Sequence, residues 1–211
     1  MNGHMKPADI EKRSFAIITE ELGGRTFPEG VAEVVKRVIH TSADFDYADN
    51  LCFSPDAVEQ AKAALEAGAT IVTDTNMALA GISKPTLAKL GGKAVCLMAD
   101  EAVAREAKER GVTRATVSME HAAKLDGPLI FAIGNAPTAL IRLHELIEEG
   151  AVSPALVIGV PVGFVNVVES KELFLGRDTP YIIARGRKGG SNVAAAIVNA
   201  LMYQIIKREG F

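Results

Sequence analysis

Between residues 69 and 185 the chain alternates short, nearly continuous apolar runs with stretches of helical periodicity, and this alternation restricts the folds open to it. The runs lie at 69–73, 93–98, 114–118, 128–133, 155–160 and 181–185. Ala69-Thr70-Ile71-Val72-Thr73 is representative: β-branched, uncharged and too short for a helix. Helical spacing fills 83–90, 100–110, 118–125, 136–149 and 164–174, and a last helix covers about 192–207. Strands that do not alternate apolar with polar are buried on both faces, as in a parallel sheet covered by helices. The expected fold class is therefore α/β: one doubly wound, mainly parallel sheet with helices on both faces. No composition break or repeat divides the 211 residues, so 1–211 reads as a single domain. Gly3-His4-Met5 looks partly artificial, and residues 1–5 are set aside from function.

Ahead of the alternating region the pattern is helical. Residues 8–22 carry Asp9 as an N-cap candidate and Ile10, Phe15, Ile18 and Leu22 as an apolar stripe, closed by Gly23-Gly24. After Pro28, Val31, Val34, Val35 and Val38 recur at helical spacing. Ser54-Pro55-Asp56 predicts a capped helix start, with Val58, Ala61 and Leu65 inward and Gly68 at its end. These segments form a helical N-terminal extension.

Composition removes several function classes. Net charge is −3 and aromatics are 5% with no tryptophan, which argues against a nucleic-acid binder. No apolar run approaches the roughly 18 residues of a membrane span, and the polar N-terminus has no secretory signal pattern. Cys52 and Cys96 are far apart, without CxxC or Cys/His metal spacing, and Cys96 reads as a buried reduced thiol. Metal and cofactor are both expected to be none, and the location cytoplasmic.

The chemistry concentrates in Val38-Ile39-His40-Thr41-Ser42-Ala43-Asp44-Phe45-Asp46-Tyr47-Ala48, which reads as a polar connection. Histidine is the side chain whose ordinary pKa lies near neutrality, so His40 is the first acid/base candidate. By itself, a histidine beside aspartates is more often a structural hydrogen-bonding residue. His121, near the start of a short helix, and His144 read as structural.

In an open parallel sheet the ligand lies beyond the carboxyl ends of the strands. Those ends are Thr73-Asp74-Thr75-Asn76-Met77, Ile133 to Thr138, Gly159 to Asn166 and Arg185 to Asn192. Arg185-Gly186-Arg187-Lys188-Gly189-Gly190-Ser191-Asn192, with a Ser/Asn N-cap before a long helix, is the strongest anion signal. It matches neither P-loop nor GxGxxG spacing, and a basic surface turn explains it equally well. Gly134-Asn135-Ala136-Pro137 is either a helix start capped by Asn135 or a set of exposed amides for a carboxylate. Asp74 and Glu169 have no evident partner. The helix 192–207 is apolar almost all round, which implies burial in the core or at a subunit contact.

Together these loops resemble the precorrin-8X methylmutase family of cobalamin biosynthesis. The resemblance rests on Arg13-Ser14-Phe15, the His40 stretch through Asp44, Asp74 to Met77, Gly134 to Thr138, Gly159 to Asn166 and Arg185 to Ser191. It runs from about residue 8 to 207. It implies a flavodoxin-like fold, a homodimer with a corrinoid tetrapyrrole bound near the subunit interface, and migration of a methyl group from C11 to C12 of precorrin-8X or cobalt-precorrin-8. It further implies His40 as proton donor/acceptor and Ser14 as a substrate contact. The remaining substrate-binding candidates are Arg13, Arg37, Thr41, Ser42, Asn76, Met77, Gly134, Asn135, Ala136, Arg185, Lys188, Gly189 and Ser191, with Arg187 as a further cation. Two other readings compete: a corrinoid carrier without chemistry, and a nucleotide-dependent enzyme using Gly189-Gly190-Ser191.

Overall fold

A computed structural model describes residues 7–206. Residues 1–5, set aside above, lie outside the described residues. The N-terminal extension consists of α1 (Pro7–Glu21), α2 (Val31–Ser42) and the single turn α3 (Tyr47–Asn50). Then come β1 (Leu51–Phe53), α4 (Ala57–Glu66), β2 (Thr70–Thr73), α5 (Asn76–Gly81), α6 (Lys84–Lys89) and β3 (Lys93–Val95). After a 3-10 turn, α7 (Glu101–Arg110) and α8 (Arg114–Ala122) lead to β4 (Leu129–Ile133) and α9 (Pro137–Glu148). The chain continues through β5 (Leu156–Gly159), α10 (Val167–Glu172), β6 (Tyr181–Ala184) and α11 (Ser191–Ile205).

The sheet order is β1-β6-β5-β4-β2-β3. All pairings are parallel except β1 with β6. Counting only the parallel strands, the order 2-1-3-4-5 is that of a flavodoxin-like doubly wound sheet, and its direction reverses between β2 and β4. β2, β4, β5 and β6 are buried throughout. Their residues alternate between two cores. Ile71, Ile130, Ala132, Ile158 and Ile182 pack beneath α2, α4 and α11, whereas Val72, Phe131, Ile133, Val157 and Ile183 pack against α8 and α9.

Several sequence expectations change. Residues 114–118 are the start of α8, not a strand. Thr113 caps it by accepting the Thr116 amide at 3.1 Å. His121 therefore lies in the last turn of α8, not near its start. Asp9 lies inside the first turn of α1, and Ile10 is 52% exposed, so the inner stripe begins at Phe15. Ser54 is not a helix cap. Its hydroxyl accepts the Tyr181 amide at 2.9 Å and fastens β1 to β6, while α4 starts only after Asp56 in a left-handed turn. Gly190, not Ser191 or Asn192, is the N-cap of α11, and Ala136, not Asn135, that of α9. Cys96 is half-buried, outside any strand. α11 is covered by α2, α4, α5 and the sheet, so burial within one chain accounts for its apolar surface. No described helix is long and apolar enough to cross a membrane.

Candidate functional site

Parallel strands bring the four polar loops to one edge of the sheet. At the point of reversal, Asp74 follows β2 and Gly134 follows β4. The Asp74 carboxylate accepts the amides of Gly134 at 2.9 Å, Asn135 at 2.7 Å and Ala136 at 2.6 Å. Asp74 is fully buried, and burial pushes its carboxyl above the ordinary range while the three amides pull it down. This corrects one expectation: the Gly134–Ala136 amides are occupied by the protein's own carboxylate and do not face a ligand carboxylate. The Asn135 side chain remains exposed.

The same edge is packed tightly. Thr75 Oγ1 lies 2.8 Å from Ser191 Oγ, joining the β2 and β6 loops, so this candidate hydroxyl faces inward. A Cβ on Gly134 would lie 2.7 Å from Ser191 Cα, and one on Gly189 only 2.0 Å from the Val160 carbonyl oxygen. Gly134 and Gly189 thus serve close backbone approach. Asn76 and Met77 open α5, and Met77 is 71% exposed.

His40, Thr41 and Ser42 form the last turn of α2, not a polar connection. Ala43 then reverses the chain in the left-handed region at φ 54°. His40 is exposed at an open concavity of about 280 Å³, lined also by Arg37, Thr41, Gly81, Asn192, Asn199 and Tyr203. Its ring stacks on Phe15 of α1, with centroids 5.2 Å apart and planes 22° from parallel. Arg37, a candidate cation, is taken up by helix packing: it pairs with Glu11 and lies over the rings of Phe15 and Tyr203. Asn199 donates to the Gly81 carbonyl at 2.8 Å and accepts the Ser83 amide at 2.9 Å, fixing the far wall of the concavity.

The two halves of the site meet at Lys188. Its ammonium lies 2.6 Å from carboxylate oxygens of both Asp44 and Asp46, just past the His40 helix. Those carboxylates push the Lys188 ammonium above its ordinary range, and Lys188 holds the Asp44 carboxyl below its own. Arg185 and Arg187 are exposed, and Arg187 lies 5.3 Å over the ring of Phe164, itself 81% exposed. Ser14 is half-buried and donates to the Ile10 carbonyl at 3.0 Å, and Arg13 is exposed. Ser42 caps its own helix turn, donating to the Val38 carbonyl and accepting the Asp44 amide. Among the described residues no cluster of three or more His, Cys, Asp or Glu has metal-binding geometry.

Sequence reasoning passed over two groups. Phe15 enters the sequence reading only through the apolar stripe of its helix and the Arg13-Ser14-Phe15 motif, although its place on α1, less than two turns before the end of that helix, puts it on the His40 ring. Lys171 was not considered at all. It is 1% exposed, and it donates to the carbonyls of Gly186 and Lys188, each at 2.8 Å. Its surroundings in sequence, Glu169-Ser170-Lys171-Glu172, look like a solvated helix face and carry no signal of this burial.

Comparison with known proteins agrees with this architecture. Residues 9–204 match the family model described as precorrin-8X methylmutase. The chain is 47% identical to a cobalt-precorrin-8 methylmutase of Salmonella typhimurium, over 95% of this chain and 96% of that protein. It is 43% identical to a precorrin-8X methylmutase of Pseudomonas aeruginosa, over 91% and 93%. The crystal structure of a precorrin-8X methylmutase from Thermus thermophilus superposes with a TM-score of 0.84 at 40% identity, covering 92% of this chain and 95% of that one. With the match spanning almost every described residue, the chain belongs to the precorrin-8X methylmutase family.

Proposed function

We propose that the protein isomerises precorrin-8X, or its cobalt-containing counterpart, by moving the methyl group on C11 to C12 and giving hydrogenobyrinate or cobyrinate. The reading rests above all on one observation: within a chain of this family, His40 stands exposed at the mouth of a concavity with its ring held by Phe15.

The chemistry asks little of a protein beyond position and a proton. Protonating the conjugated ring makes the carbon beside C11 electron-poor. The methyl group then moves with its bonding pair, and release of a proton restores the charge, so the reaction is redox-neutral. His40 is the proton donor and acceptor in this scheme. It sits at the carbonyl end of α2, which presents partial negative charge to a side chain carrying a proton. Thr41 shares its concavity, and Ser14, one helix away on α1, is the proposed substrate contact.

The substrate is a broad ring edged with acetate and propionate groups. Arg13, Arg185, Arg187 and Lys188 supply cations for that edge, and the exposed Met77 and Phe164 supply apolar surface. A concavity of about 280 Å³ is too small for such a ligand, since drug-sized sites span roughly 300–1,000 Å³. A second copy of the chain closing over this edge would complete it, and the homodimer with its site near the subunit interface belongs to this proposal. The free thiols of Cys52 and Cys96 support a reducing, cytoplasmic setting.

The test is an absorption spectrum of the purified protein mixed with precorrin-8X and, separately, with cobalt-precorrin-8. Appearance of the C12-methylated chromophore with either supports the isomerase and identifies the preferred substrate. Binding without conversion in both makes the protein a corrinoid carrier. No interaction with either removes both readings and leaves the basic glycine loop to be tried against phosphate ligands.

A further inference from the structure

A buried lysine is costly unless its ammonium finds acceptors, and Lys171 finds two backbone carbonyls on a single loop. That loop is the segment between β6 and α11, the densest cluster of positive charge at the edge where the substrate is proposed to bind. Lys171 stands behind it, on α10.

The hydrogen bonds have one direction. The carbonyls of Gly186 and Lys188 accept from Lys171, and the carbonyl of Arg187 between them accepts the Gly163 amide at 3.2 Å. Three successive carbonyls of the loop are thus drawn toward α10 and the β5 loop. The Gly190 amide, donating to the Val160 carbonyl at 2.8 Å, anchors the same segment at its other end. Arg185, Arg187 and Lys188 remain on the exposed side. An anionic group approaching that side meets the guanidinium groups of Arg185 and Arg187 and the Lys188 ammonium, the last already paired with Asp44 and Asp46, while the carbonyl dipoles that would repel it are turned away. Lys188 also reaches Asp44 and Asp46 from this loop, so its placement fixes the distance between the cationic edge and the His40 helix.

We propose that Lys171 is a positioning residue for the carboxylate-bearing substrate, holding the Gly186–Lys188 carbonyls inward so that the loop presents its cations to the substrate rim. The inference rests on the isomerase reading above. Lys171 touches no substrate; it acts through Arg187 and Lys188.

The experiment is steady-state conversion of whichever corrinoid the wild-type protein isomerises, with Lys171→Met beside it and thermal unfolding of both. The expected result is a split: KM rises about tenfold or more while kcat stays within about threefold, because binding of the rim is weakened and the proton chemistry is not. In a background carrying Arg187→Ala and Lys188→Ala, Lys171→Met should add little further to KM, since its effect passes through those side chains. A purely structural lysine would lower the melting temperature and leave KM unchanged, and that outcome overturns the proposal. If Lys171→Met does not fold, Lys171→Gln, which keeps an uncharged donor, decides by the same split in KM and kcat. Absence of turnover by the wild-type protein would instead sink the isomerase reading, and the role of Lys171 with it.

Discussion

Asp74 accepts the Gly134 amide at 2.9 Å across the point where the sheet reverses direction, closing with a side chain the crevice that open α/β sheets commonly leave for a ligand. The Asn135 and Ala136 amides are also taken, and the open concavity at His40 is formed instead by α2, α5 and α11. Asp74→Ala would leave three backbone donors without their acceptor, at about 1–3 kcal/mol for each that stays unsatisfied. The expected result is a loss of about 2–4 kcal/mol in urea unfolding, after allowing for water entering the space. Asp74→Asn should also destabilise, because an amide group offers its own donors to one of those N–H groups. A variant as stable as wild type would show that the Asp74 bonds do not hold the turn.

His40→Ala tests the proton step directly. Turnover should fall roughly a hundred- to ten-thousandfold, the range for loss of a general acid or base. Corrinoid affinity, read by titration of the chromophore, should change by no more than about threefold, because the proton is needed for reaction and not for binding. Phe15→Leu keeps the bulk but removes the stacking partner of the imidazole, and a smaller fall in kcat with little change in binding is expected. Full turnover by His40→Ala would remove His40 from the mechanism.

The loop glycines offer a comparison within one segment. A Cβ on Gly189 would meet the Val160 carbonyl oxygen at 2.0 Å, a contact that only backbone movement relieves. Gly186 has φ +74° but open space around it, so alanine there meets only the backbone penalty of about 1 kcal/mol. Gly189→Ala should therefore destabilise more than Gly186→Ala and should raise KM more, because the backbone shift it forces displaces Arg187 and Lys188 just before it. Equal effects in melting temperature and KM would mean that the loop moves freely away from β5.

What the sequence revealed follows from where the information was local. Four of the five parallel strands came from apolar runs that are buried on both faces, and Ile71-Val72 or Ile130-Phe131 can be little else. Residues 114–118 are helical where an extended run is expected, because Ala115-Thr116-Val117-Ser118 fits either pattern. What decided it was the Thr113 cap and the spacing of buried Ala115, Ser118, Met119 and Ala122 along one helix face. β1 was missed because Leu51-Cys52-Phe53 is too short to have a pattern, and its antiparallel pairing with β6 is a tertiary fact. In the candidate site, His40 was legible as an acid/base candidate, but its Phe15 neighbour and the Lys188 pair with Asp44 and Asp46 depend on segments far apart in sequence. Asp74 and Lys171 were illegible for the same reason: each is satisfied by backbone groups of a distant loop, and backbone groups leave no trace in residue identity.

Lys171 also predicts how stability changes with pH. Burial pushes its ammonium from the ordinary 10.5 down to about 8. Below pH 8 both folded and unfolded chains hold the proton, and the folded state bears the full cost of burying the charge. Between pH 8 and 10.5 the unfolded chain still binds the proton while the folded chain has released it, so stability from this group rises with pH across that window. A difference of that size corresponds to about 3 kcal/mol by the top of the window. To isolate this one group, the quantity to measure is the difference between wild type and Lys171→Met in urea unfolding at pH 7.5, 9 and 10.5. The wild type should gain on the variant by up to about 3 kcal/mol from the lowest pH to the highest. A difference that stays flat would mean that the folded protein keeps Lys171 charged throughout, its two carbonyl partners fully offsetting the loss of water.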